Sequence, residues 1–93
     1  MVTVGDKYYI QLTRKMRILQ RPTTRIWYLN CYGEEIFDYI TYPDIIRKQG
    51  EPDKVIATVT GVYHDYVELK MVNNRIFSCP YEFLDTLERF NWG

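Results

Sequence analysis

The chain has 93 residues, 46% of them apolar, with twelve basic and twelve acidic side chains and a formal net charge of zero. That length holds one core, so a single domain over 1–93 is expected, and the apolar content excludes a disordered chain. Apolar runs stay far below the roughly 20 residues a membrane-crossing helix needs, and "MVTVGDKYYI" lacks the features of a secretion signal, so a cytoplasmic protein away from membranes is expected.

Along the chain, "KYYIQLTRKMRIL" sets Tyr8, Ile10, Leu12, Met16 and Ile18 at alternate positions, with Arg14 the polar interruption. A period of two predicts a strand with one buried face. Gln11, Thr13, Lys15, Arg17 and Leu19 then share the outer face. "RPTT" supplies a turn, with Pro22 fixing φ. "RIWYLNCY" resumes a strand with Trp27, Leu29 and Cys31 on one face, Ile26, Tyr28 and Asn30 on the other, and Gly33 ending it. In "EEIFDYITYPDIIRKQG", Thr41 and Asp44 have capping-box spacing and Gly50 suits a helix end. Pro43 disfavours helix at Tyr42. The expectation is a short helix over 43–49, with 35–41 left ambiguous.

The second half is more regular. "KVIATVTGV" is a β-branched strand in which Gly61 marks a bulge or bend. "YVELKM" alternates, with Val67, Leu69 and Met71 inward. "NN" at 73–74 fits a type I′ hairpin turn, "RIFSC" returns as a strand, and Pro80 stops it. "YEFLDTLERF" closes in a helical turn with Leu84 and Leu87 inward. Val59, Val67, Leu69, Phe77, Cys79 and Leu84 share one phase and are expected to be buried together.

The stretch "VIATVTGVYHDYVELKMVNNRIFSCPYEFLDTL" resembles the last three strands and closing 3₁₀ turn of an SH3-like small barrel. The order is kinked strand, loop, strand, tight hairpin, strand, proline, then a capping leucine. "VGDKYYI" is similar to the opening strand of such barrels. The resemblance covers about half the chain and is one of pattern. It implies a mostly β fold, an SH3-like barrel of about five strands with one inserted helix and a helical C-terminal turn. No ligand motif accompanies it, so it implies no function.

Catalytic constellations are sparse. His64 beside Asp65 reads as a solvated loop pair, and Glu34–Glu35 as neighbours in a turn. Phosphate-cradling loops, HExxH and nucleophile elbows are absent from the sequence. Cys31 and Cys79, with His64 as the lone histidine, lack the spacing of a structural zinc site. The two thiols are expected to be buried and reduced. No enzyme activity, metal or cofactor is expected.

Charge is unevenly spread. Residues 1–30 carry six basic side chains against one acid, a net of +5, and residues 31–93 carry six against eleven, a net of −5. No acid occurs from Lys7 to Gly33, and the cations flank aromatics. The candidate binding residues are therefore Arg14, Lys15, Arg17, Arg21 and Arg25, with Tyr9, Tyr28 and Tyr66 as exposed aromatics. Interfaces favour Tyr, Trp and Arg. Trp27 is a further anchor should the alternation misassign it, and Trp92 is expected to dock back on the barrel. The expected function is a non-enzymatic protein-binding module, a compact adaptor or inhibitor of the kind phages and mobile elements carry against host proteins, recognising an acidic partner surface. The alternative is a barrel for single-stranded nucleic acid or RNA, in which the cations meet phosphates and the aromatics stack bases.

Overall fold

A computed structural model of the chain describes residues 1–17 and 21–90. The expectations for Ile18, Leu19 and Trp92 fall outside the described residues. The protein is mostly β. Strand β1 (Lys7–Gln11) buries Tyr8 and Ile10, and the chain then carries Leu12 and Met16 inward without continuing as regular strand. Strands β2 (Thr23–Leu29) and β3 (Glu35–Thr41) pair as an antiparallel ribbon. Strands β4 (Lys54–Val62), β5 (Tyr66–Met71) and β6 (Ile76–Pro80) form a meander, followed by one helical turn α1 (Tyr81–Leu84) and a short β7 (Glu88–Arg89).

The meander, β1 and β7 make a five-stranded sheet in the order β6-β5-β4-β1-β7. The ribbon joins it through an isolated Leu12–Tyr28 bridge and a hydrogen bond from the Thr13 N–H to the Trp27 carbonyl. The elements that carried the resemblance are present in the expected order, including the kink. Between Val59 and Gly61 the β4–β5 register shifts by one residue, a bulge. At Gly61 a Cβ would lie 2.8 Å from the exposed Tyr63 ring, so a side chain there would require that ring to move.

Of the six residues expected to be buried together, Val59, Val67, Leu69, Cys79 and Leu84 are, and Phe77 packs half-buried at the margin. Alternation was a sound guide here because both strands of the β5–β6 hairpin bury one face only.

The structure corrects four expectations. The helix over 43–49 does not form: β3 runs to Thr41, a 3₁₀ turn covers Tyr42–Asp44, and Ile45 is extended and buried. Thr41 Oγ1 donates to the Asp44 carboxylate instead of capping a backbone N–H, and Ile46 makes an isolated antiparallel bridge to Lys54. The 73–74 turn is not type I′, since only Asn74 has positive φ, at 70°. It is a three-residue loop in which a type I turn is followed by a left-handed residue, and Arg75 N–H donates to Asn73 Oδ1. Among the described residues seven strands form where about five were expected, five of them in the main sheet, and no ladder closes them into a barrel. Tyr28, expected at the surface, is 2% exposed.

Candidate functional site

The β2–β3 ribbon has two faces. Ile26, Tyr28, Ile36 and Ile40 point at the core, and Arg25, Leu29, Glu35, Phe37 and Tyr39 point away from it, with Trp27 on the outer side but partly buried against the margin of the core. Register puts Trp27 opposite Phe37 and Arg25 opposite Tyr39, so three aromatic rings and an arginine share one patch. Phe37 and Tyr39 are about half exposed, at 49% and 54%, and meet edge to face with centroids 6.2 Å apart.

Two guanidinium groups lie on these rings. Arg14 sits 4.3 Å over Trp27 while pairing with Glu35 Oε1 at 2.7 Å. Thr13 Oγ1 also donates to Glu35, and the two donors, Arg14 first, hold the Glu35 carboxyl below its ordinary range. Arg25 lies 4.6 Å over Phe37 and 5.4 Å over Tyr39, and donates to the Tyr39 hydroxyl at 2.8 Å. Planar cations stack on ring faces with little solvation cost.

Charge balance on this face is incomplete. Arg14, Arg47, Arg75 and Arg89 each lie against a carboxylate. Among the described residues Arg25 has none, and neither do Lys15, Arg17 or Arg21. Arg21 shares a shallow surface depression with Arg25, Trp27 and Tyr39, and Lys15 and Arg17 follow Arg14 in the exposed segment after Leu12.

The other expected residues lie elsewhere. Tyr9, on β1, packs edge to face on Phe90 under the Lys54 ammonium. Tyr66, at the start of β5, stacks on Tyr63 at 4.8 Å, and the Tyr81 hydroxyl bonds the Tyr63 carbonyl. Tyr28 faces inward, and its hydroxyl donates to Asp38 Oδ2 at 3.1 Å. Burial, and then the Asp38 charge, raises the Tyr28 pKa. Tyr28 therefore cannot serve as a surface platform.

The sequence reading missed Phe37 and Tyr39. Their signal was the alternation "EIFDYIT", obscured because Asp38 takes an inward position to meet Tyr28 and Arg75. Elsewhere, His64 and Asp65 sit 3.7 Å apart, both almost fully exposed. Among the described residues no group of three or more His, Cys, Asp or Glu could hold a metal ion, and no helix is long and apolar enough to cross a membrane. No protein-family model, curated protein or solved structure matches the chain.

Proposed function

We propose that the protein is a non-enzymatic binding module whose outer ribbon face docks on an acidic surface of another protein, as an adaptor or inhibitor. The observation that carries this reading is Arg25, a guanidinium held by aromatic rings with no carboxylate against it among the described residues. Such a group is preorganised for a partner's Asp or Glu, and its side-chain entropy is already partly spent. Trp27, Phe37 and Tyr39 supply aromatic contact area around it, the composition that binding hot spots favour.

The same rings weigh against stacking of single-stranded bases. Base stacking uses open aromatic faces, and here guanidinium groups lie over Trp27, Phe37 and Tyr39.

The test compares wild type with Arg17→Glu/Arg25→Glu. Partner proteins captured from nuclease-treated lysate should be lost with the variant, and association with the identified partner should slow and become less salt-sensitive. Fluorescence anisotropy with a 15-residue oligo(dT) should detect no micromolar binding at physiological salt. Micromolar binding abolished by the variant would instead establish the nucleic-acid alternative.

A further inference from the structure

The β wall is open between β3 and β6. From β3 the ladder runs through β2, across the Leu12–Tyr28 bridge to β1, and on through β4 and β5 to β6. At one end, among the described residues, the two edges are tied by side chains only: Arg75 Nε donates to Asp38 Oδ2 at 2.8 Å, and Asn73 Nδ2 to the Tyr39 carbonyl at 2.9 Å. Beyond those ties, Ile36, Ile76 and Phe77 line an apolar cleft of about 240 Å³ with Ile10 and Phe83.

The phase of each edge follows from its hairpin. Residues of an antiparallel pair alternate between bonding their partner strand and pointing their peptide groups away from it. Met71 N–H bonds the Arg75 carbonyl, so Phe77 and Cys79 bond β5 while Ile76 and Ser78 turn their peptide groups outward. Asn30 N–H bonds the Glu34 carbonyl, so Ile36 and Asp38 bond β2 while Glu35, Phe37 and Tyr39 turn outward. The Tyr39 carbonyl is the one Asn73 reaches, as this phase requires. Among the described residues no hydrogen bond reaches the outward peptide groups of Ile76, Ser78, Glu35 or Phe37.

We infer that this opening takes one extended segment of a partner protein as an added strand between β3 and β6. Two facing rows of unpaired peptide groups match an extended backbone, which bonds one neighbour with alternate residues and the other with the rest. An apolar small molecule would leave both rows unpaired. A second folded copy would offer its edge from outside, whereas the opening lies between two edges of one chain. The Arg75 charge is already met by Asp38, so side chains entering the cleft are apolar, at every second position of the segment.

The test selects binders from a displayed library of random ten-residue peptides and resynthesises the most enriched. Apolar residues should recur at alternate positions, and bound peptide should slow amide exchange at Glu35, Phe37, Ile76 and Ser78 at least tenfold. N-methylating every second peptide amide, in either phase, should weaken binding at least tenfold. Ser78→Pro should do the same without breaking the β5 ladder, and if that variant fails to fold, the N-methylated peptides decide alone. Equal binding of the N-methylated peptides, no enriched peptide, or exchange protection that grows with protein concentration alone would each overturn the inference.

Discussion

Asp53 is 1% exposed and holds the segment that presents Arg14. Its Oδ2 accepts the Met16 N–H at 2.9 Å, and its carbonyl accepts the Leu12 N–H at 2.8 Å. Arg47 Nε lies 3.4 Å from the other carboxylate oxygen, which accepts no hydrogen bond among the described residues. Buried carboxylates persist only where such partners offset their desolvation. Asp53→Ala leaves the Met16 N–H without its acceptor and should destabilise the fold by about 1–3 kcal/mol. Asp53→Asn keeps a carbonyl acceptor and should lose less. Urea midpoints of the two variants check this, and an alanine variant as stable as wild type would refute the anchoring role. The sequence hid Asp53 because "EPDKV" has the composition of a solvated turn. A carboxylate is recognised as interior only once its donors, 37 residues away in the case of Met16, are brought to it.

Elements were legible where one face was apolar and the other polar. In β5, Val67, Leu69 and Met71 alternate with Glu68 and Lys70, and phase and type followed directly. In β2, Ile26 and Tyr28 compete with Trp27 and Leu29, so period two fixed the strand but not its buried side. That ambiguity is why Tyr28 was read as exposed and the outer patch was only partly seen. Residues 41–46 failed for another reason: capping-box spacing is local, whereas the Ile46–Lys54 bridge that keeps the chain extended is tertiary. Both three-residue hairpin loops close on a left-handed residue, Gly33 at 77° and Asn74 at 70°. A β-branched side chain in that conformation costs about 1–2 kcal/mol. Gly33→Val should therefore destabilise by about that amount, whereas Asn74→Gly, relieving a Cβ penalty, should stay within about 0.5 kcal/mol of wild type. Thermal unfolding of the two variants separates them, and equal losses would mean the loops are built differently.

At the scale of the molecule, the order of strands was legible because the meander and its closing turn are sequential, but the opening between β3 and β6 was not. How those two edges meet depends on contacts between residues 34 and 37 positions apart, for which the sequence carries no local signal. The interior so formed has a consequence at alkaline pH. Burial pushes the Cys79 thiol from its ordinary 9.0 up to about 11, with Cys31 a lesser contributor, and burial likewise raises the Tyr8 and Tyr28 hydroxyls above 10.0. Each group holds its proton more tightly folded than unfolded. Below pH 9 both states are protonated and these groups leave stability independent of pH. Above pH 9 the unfolded chain ionises first, so stability is lost as pH rises through about 11. The urea midpoint should be level from pH 7 to 8.5 and fall by pH 10.5. Cys79→Val should delay the onset toward pH 10, where the tyrosines take over. Thiol labelling of the native protein at pH 8 gives the companion measurement: Cys31 is half-buried and Cys79 fully buried, so one thiol should react quickly and the second only on unfolding. A midpoint that holds through pH 10.5, or two thiols that label at one fast rate, would show that Cys79 is within reach of water in the folded protein.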